Sequence, residues 1–246
     1  VVPGSDKVDA DGVIEVIRDY SPNVIVNDLP FLEDRYLRSL ASLGASTVNL
    51  VDSLDDIERP DELASIIVSM MQEGEYELED YHAGPAFAVL RDSFQKKTQF
   101  VDQGITSIKG IRKVVLSFGG SDPQNLTMKA LSALSEVPDL SVVVILGVAY
   151  GYRRSLEEFV TKATSQTTVL RNVEHMAEIF FDADLVLCSG GMTVFEIAAL
   201  GRPGVVLCQN TRERDRMDKF SSYGTICHLG LGTEVPEQTI REKVEA

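Results

Sequence analysis

Val114-Val115-Leu116-Ser117-Phe118-Gly119-Gly120-Ser121-Asp122-Pro123 is the stretch on which the fold turns. A β-branched, apolar run ends in two glycines, and a helix start follows. Asp122 suits an N-cap, and Pro123 suits the first helical position, where a fixed φ and a missing N–H cost nothing. A buried strand passing through a glycine turn into a helix is the opening of a βα unit. The pattern repeats downstream. Strand-like runs recur at Val142-Val143-Val144-Ile145-Leu146, Leu185-Val186-Leu187-Cys188 and Val205-Val206-Leu207-Cys208, with weaker ones at Thr168-Val169-Leu170 and Thr225-Ile226-Cys227. Between them lie helical spacings such as Leu126, Ala130, Leu131, Leu134 and then Leu156, Phe159, Val160. Six such strands predict a complete doubly wound parallel domain over 111–246.

The segment 1–100 repeats the theme incompletely. A helix spacing (Val13, Ile14, Val16, Ile17) leads to Val24-Ile25-Val26, and a second helix from Leu32 to Leu43 leads to Val48-Asn49-Leu50-Val51. A further stretch follows at Phe87-Ala88-Val89-Leu90, and polar sequence from Gln95 to Gly110 reads as the inter-domain connection. The expectation is an α/β protein of two Rossmann-like doubly wound domains. The first is incomplete, because it opens on a helix where a strand is due.

Bulk properties narrow the function. With 44% hydrophobic and 25% charged residues, the composition is that of an ordinary globular protein. A net charge of −15 argues against a nucleic-acid surface, which needs clustered Lys and Arg. It leaves room for a diphosphate, which backbone N–H groups can hold. No apolar run approaches the ~20 residues of a membrane span. The start, Val1-Val2-Pro3-Gly4-Ser5-Asp6, lacks both an initiator Met and the pattern of a signal peptide, so the chain reads as a piece of a longer protein. Cys188, Cys208 and Cys227 lie in or beside apolar runs with no paired spacing, as core residues of a cytoplasmic protein would. His82, His175 and His228 form no ligand-spaced pair, so neither metal nor cofactor is expected.

Chemistry in an open parallel sheet gathers at the carboxyl ends of strands. Two loops there are glycine-rich. Phe118 to Pro123 reads either as a tight turn with a cap or as a place where another molecule approaches the backbone. In Cys188-Ser189-Gly190-Gly191-Met192-Thr193-Val194-Phe195-Glu196, a strand turns through two glycines into a helix whose N–H groups suit phosphate oxygens. Glu196, about one turn on, is placed to accept from two ribose hydroxyls, while Thr193-x-x-Glu196 equally fits a capping box. The charge run Arg212 to Lys219 reads as a solvated helix with mixed-sign pairs, in preference to a set of arginines on a diphosphate.

The run Ser117 to Thr127 resembles the signature that opens the second domain of one particular group. That group contains the UDP-sugar hydrolase of pseudaminic acid biosynthesis and spore-coat polysaccharide proteins of the SpsG type. Gly84 to Phe94, Asn172 to Met176, Asp184 to Glu196 and the spacing from Gly201-Arg202-Pro203 to Gly224 are similar as well. More distantly the chain resembles GT-B glycosyltransferases, including the N-acetylglucosamine transferase of peptidoglycan synthesis. The resemblance implies a two-lobed, GT-B-like fold with a UDP-sugar between the lobes and UDP mainly on the second. It matches Gly190 and Gly191 to the phosphate-binding turn, with Met192 and Thr193 opening the helix beyond. Glu196 matches the ribose carboxylate, and Val173 and Met176 match the loop beside the uracil. Gly119, Gly120 and Ser121 would face sugar and diphosphate, as would Asp28 and Asn210.

The chain also departs from the family pattern. The family's catalytic histidine lies in a Gly-x-Gly-His-x-x-Arg loop that nothing here matches, so the chain is expected to start after it and the catalytic residues stay unassigned. His175 reads as a cap or packing residue. Asp28 is retained, but Pro30 stands where the hydrolases carry Tyr. Where relatives place a Gln near the sugar, this chain has Gln209-Asn210 and then Glu213. The resemblance implies attack at the anomeric carbon with UDP leaving. Water as acceptor makes a hydrolase and a sugar hydroxyl makes a glycosyltransferase, within surface polysaccharide or nonulosonic acid biosynthesis. The alternative is a non-catalytic sugar-nucleotide-binding module. No Gly-x-Gly-x-x-Gly opens the second sheet, which disfavours a dinucleotide oxidoreductase.

Overall fold

The computed structural model describes residues 10–29, 32–51, 57, 66–70, 80–99, 101, 110–162 and 166–245. The chain divides into two compact units, Val1–Val89 and Leu90–Ala246.

The first unit runs α1 (Ala10–Tyr20), β1 (Val24–Asp28), α2 (Asp34–Ala41), β2 (Ser46–Val51), β3 (Ile66–Ser69) and β4 (Tyr81–Ala83), then a 3-10 turn at Pro85–Phe87. Its four strands are parallel in the order β1-β2-β3-β4. Strand residues alternate between faces, so Ile25 and Asn27 of β1 are buried while Val24 and Val26 are exposed. Ile14 of α1 and Leu37 and Leu40 of α2 share a core with Ile25, Val51 and Ile67. Asn27 and Asn49 are buried polar residues that satisfy each other. Asn27 Nδ2 donates to Asn49 Oδ1 at 2.7 Å, and the Tyr36 hydroxyl donates to Asn27 Oδ1 at 2.9 Å. Burial raises the Tyr36 phenol above its ordinary pKa. The stretch Phe87 to Leu90, grouped with the strands from sequence, is instead the end of the 3-10 turn and a following irregular segment. Strands β3 and β4 were not expected. Pro30 and most of the proposed connection, residues 100 and 102–109, lie outside the described residues.

The second unit opens with α3 (Asp92–Thr98). It continues through β5 (Lys113–Ser117), α4 (Leu126–Leu134), β6 (Ser141–Leu146), α5 (Arg153–Lys162), β7 (Gln166–Arg171), α6 (Met176–Phe181), β8 (Leu185–Cys188), α7 (Thr193–Ala199), β9 (Gly204–Cys208), α8 (Thr211–Phe220), β10 (Ile226–Leu231) and α9 (Glu237–Glu245). This unit takes in residues from Leu90 onward. Helix α3 packs within it through Phe94, which is fully buried with its ring 6.0 Å from that of Phe180 on α6.

The six strands are parallel in the order β10-β9-β8-β5-β6-β7. The chain therefore winds outward from β5 through β6 to β7, returns to β8 beside β5, and winds the other way. Its switch point lies between β5 and β8, where Ser117 pairs in register with Cys188. Val114, Leu116, Val142, Val144, Leu185, Leu187, Val205 and Leu207 face a core shared with Leu126, Leu131 and Leu134 of α4. Each such side chain, fully buried, contributes about 1.5–3 kcal/mol of transfer free energy. Continuous apolar strands are what burial on both faces requires.

Candidate functional site

The loop after β5 is held from several sides. Gly119 has a φ of +82°, and Asp122 and Asn125 have φ of +45° and +52°, the region that Asn and Asp tolerate better than other side chains. Asp122 is 2% exposed. It caps α4 at a distance: Oδ1 accepts from the Leu126 N–H at 2.9 Å and Oδ2 from the Thr127 N–H at 2.8 Å. The helix thus starts at Leu126, and Pro123 sits in the turn before it, not at the first helical position. The neighbouring β6–α5 loop braces this turn. Tyr150 donates to Asn125 Oδ1 at 2.7 Å, Tyr152 donates to the Pro123 carbonyl at 3.0 Å, and the Ala149 N–H donates to the Gly120 carbonyl at 3.0 Å. Burial, with the Asp122 carboxylate and Tyr152 adding to it, raises the Tyr150 phenol far above its ordinary pKa. Gly147 must lack a side chain, since a Cβ there would sit 2.2 Å from the Gly120 carbonyl oxygen. Gly119, Gly120 and Ser121 are left exposed at the strand ends.

Across the switch point, β8 ends at Cys188 and the chain turns through buried Ser189 and Gly190. A Cβ on Gly190 would lie 2.8 Å from Met217 Cγ, 3.1 Å from Glu213 Cβ and 3.3 Å from Cys208 Sγ. Only glycine fits there. The Gly190 N–H donates to Glu213 Oε2 at 3.0 Å, and Arg216 Nη2 donates to the Gly190 carbonyl at 3.2 Å. The N–H groups of Gly191, Met192 and Thr193 meet no acceptor among the described residues. Met192 is 39% exposed, and a Cβ on Gly191 would meet nothing within 4 Å.

Thr193 and Glu196 do not form the capping box that their spacing allowed: α7 has no side-chain cap. Glu196 is 7% exposed and turns to Arg91 instead, whose Nε and Nη2 both reach Oε1, at 3.0 and 2.6 Å. Burial raises the Glu196 carboxyl above its ordinary value, and Arg91 only partly opposes this. Arg91 Nη2 also lies 3.6 Å from Met176 Sδ, and its guanidinium stands over the Phe94 ring at 4.9 Å. Arg91 thereby joins Glu196 and Met176, two of the residues singled out from sequence. Val173 lies half-buried in the turn before α6, next to Asn172 with its φ of +51°. His175 occupies the N-cap position of α6 but makes no side-chain cap bond and is exposed, so neither role expected of it is filled.

The charge run forms α8, and part of it turns inward, which corrects the reading of a merely solvated helix. Asn210 caps α8 by accepting the Glu213 N–H at 2.9 Å. Glu213 Oε2 takes the Gln209 N–H at 2.9 Å in addition to that of Gly190. Gln209 reaches on to the first loop, donating from Nε2 to Asp122 Oδ1 at 2.7 Å. Beneath this, His228 bridges Asp218 Oδ1 at 3.2 Å and Cys208 Sγ at 3.3 Å. Burial, with Glu213 and Asp218 nearby, pushes the Cys208 thiol up to about 12, which makes it an inert core residue. Asp28, at the carboxyl end of β1, is exposed in the first unit. Among the described residues no group of three or more His, Cys, Asp or Glu is placed to hold a metal, and no helix is long and apolar enough to cross a membrane.

Residues 114–223 match the glycosyltransferase family 28 C-terminal domain. The chain is 28% identical over 231 residues to an uncharacterized protein of Methanocaldococcus jannaschii, covering 90% of this chain and 47% of that protein. It is also 28% identical over 162 residues to the spore coat polysaccharide biosynthesis protein SpsG of Bacillus subtilis, covering 65% of this chain and 46% of that one. The chain spans about half the length of the curated relatives it matches. Among solved structures, Acinetobacter baumannii MurG superposes with a TM-score of 0.67 at 11% identity, over 95% of this chain and 67% of that one. The UDP-GlcNAc 2-epimerase of Neisseria meningitidis, solved bound to UDP-GlcNAc, superposes with a TM-score of 0.64 at 13% identity, over 95% and 70%. At these identities the likeness is one of fold. Taken with the sequence relatives and the domain match, it supports an SpsG-like protein of the GT-B glycosyltransferase superfamily.

Proposed function

We propose that the unit Leu90–Ala246 binds the UDP part of a nucleotide sugar at the switch point of its sheet. The protein to which it belongs would then be a UDP-sugar-dependent enzyme of surface polysaccharide or nonulosonic acid biosynthesis. The observation that carries this reading is the pairing of two features in one turn of chain. The Gly191, Met192 and Thr193 N–H groups find no protein acceptor among the described residues, and a buried carboxylate, Glu196, stands one helical turn beyond. Open N–H donors suit phosphate oxygens, and a carboxylate suits a ribose diol. The other glycine loop is different, because Asp122 already takes the first N–H groups of α4. Gly119, Gly120 and Ser121 are therefore assigned to the sugar side, and Val173 and Met176 to the base. Asn210 and Gln209 are assigned to bracing, since their side chains are spent on Glu213 and Asp122.

The name of the Bacillus subtilis relative supports the polysaccharide assignment, and the epimerase bound to UDP-GlcNAc supports the nucleotide. In the reaction, the acceptor oxygen bonds to the anomeric carbon and gives up its proton to solvent, while the bond to the diphosphate oxygen breaks and UDP leaves with the electron pair. Preorganised N–H groups facing that diphosphate lower the barrier by meeting charge as it develops. Water as acceptor gives hydrolysis, and a sugar hydroxyl gives glycosyl transfer.

Calorimetric titration with UDP, with CDP and NAD as controls, tests the site, together with Glu196→Ala. UDP-selective binding that weakens in the variant is the expected result. Equal binding of all three ligands, or UDP binding that the variant leaves intact, overturns it. UDP released from a UDP-sugar in water alone, compared with release that needs an added sugar acceptor, then separates hydrolase from transferase.

A further inference from the structure

Glu213 lies in a run that reads as surface charge, yet its carboxylate faces inward. One oxygen, Oε2, accepts from two loops at once: the Gly190 N–H after β8 and the Gln209 N–H after β9, at 3.0 and 2.9 Å. Its own N–H is fixed by Asn210, and its Cβ packs against Gly190. Gln209 extends the chain of contacts to Asp122, the cap of the β5 loop. Glycine is the loosest backbone residue, and a turn built on two of them does not hold one conformation by sterics alone. At Gly190 both ends of the residue are tied to α8, the N–H by Glu213 and the carbonyl by Arg216.

We infer that Glu213 is a positioning residue, whose carboxylate sets the orientation of the Gly190–Gly191 turn against the β9 and β5 loops, so that the N–H groups of Gly191, Met192 and Thr193 stay turned toward the ligand's phosphates. This rests on the nucleotide reading above. The role is geometric, so a glutamine, which keeps an acceptor oxygen at the same reach, preserves it. An alanine has no acceptor, and an aspartate falls one methylene short.

The test compares the unsubstituted chain with Glu213→Gln, Glu213→Ala and, should alanine not fold, Glu213→Asp, using two readouts. Amide hydrogen exchange across 189–193, without ligand, is expected to quicken in the Ala and Asp variants and to return to the original rate in Gln. Affinity for UDP is expected to fall about tenfold in Ala and Asp, on the order of one lost hydrogen bond, while affinity for uridine changes less than about twofold. Gln is expected to restore UDP binding. Unchanged exchange in Ala, equal weakening of UDP and uridine, or a Gln variant as impaired as Ala would each overturn the inference. If the unsubstituted chain binds no UDP, the nucleotide reading fails by itself, and the exchange comparison still decides whether Glu213 positions the turn.

Discussion

Arg91 donates through both Nε and Nη2 to a single oxygen of Glu196, 105 residues away along the chain, at 3.0 and 2.6 Å. The carboxylate side is nearly enclosed, at 9% side-chain exposure, whereas the guanidinium side is 51% exposed. The pair is therefore asymmetric: losing the arginine strands a buried anion, and the arginine itself is well solvated. Arg91→Ala is expected to destabilise the second unit by about 1–2 kcal/mol, discounted for the solvent on Arg91. Arg91→Lys recovers only part of that, because an ammonium cannot present the same fork. Urea unfolding of the three proteins checks this, and equal midpoints would show the pair to be dispensable.

Glu196 also predicts a pH dependence. Its carboxyl is raised from 4.5 in the folded chain, burial outweighing the bond to Arg91. A group whose folded pKa lies above its unfolded one binds its proton more tightly when folded. Stability therefore falls as pH rises from the unfolded value through the folded one, then levels off. Compared with Glu196→Gln, which does not titrate, the unsubstituted chain is expected to lose stability across that window. Denaturation midpoints measured in steps from pH 4 to pH 8 reveal it. A gain with rising pH would mean that Arg91, not burial, dominates the site.

What the sequence disclosed and what it hid follow from how far apart the determining residues lie. Val114 to Phe118 and Val205 to Cys208 are legible because strands buried on both faces must be continuously apolar, a local property. β3 and β4 escaped because four and three residues, one of them an exposed histidine, carry too little pattern. The glycine turns show in the spacing, whereas the reading of Glu196 needs the family resemblance as well, since its spacing equally fits a capping box. Arg91 could not be found from spacing, since its partner is fixed by the packing of Phe94 against Phe180. Glu213 was misread because mixed charges on a helix look solvated whichever way one of them points. Thr193 and Glu196 met the spacing of a capping box, but a guanidinium offered the carboxylate a stronger bond than a backbone N–H does.

The adjacent glycines of the β8 loop should respond oppositely to a methyl group. Gly190→Ala forces a Cβ against Met217, Glu213 and Cys208 at 2.8, 3.1 and 3.3 Å. Since α8 must move to make room, a cost of about 1–3 kcal/mol is expected, as for other overpacked sites. Gly191→Ala meets nothing within 4 Å, so its stability should stay within about 0.5 kcal/mol. Thermal melts of the two variants decide the matter. Equal losses would mean that the turn is not wedged against α8 as described.

Asp122 makes the sharpest case for one side chain setting a loop. Its carboxylate accepts from the Leu126 and Thr127 N–H groups and from Gln209 while its backbone holds a φ of +45°. Asp122→Ala removes the cap, leaves buried donors without acceptors, and puts a residue with little tolerance for that backbone into the turn, for an expected loss of about 2–4 kcal/mol. Asp122→Asn keeps one acceptor oxygen and a side chain suited to the left-handed region, so about 1 kcal/mol is expected. The order of stability should be unsubstituted chain, then Asn, then Ala, read from urea midpoints. Should Asn prove as damaging as Ala, the carboxylate's second oxygen, not the cap geometry, would be what α4 requires.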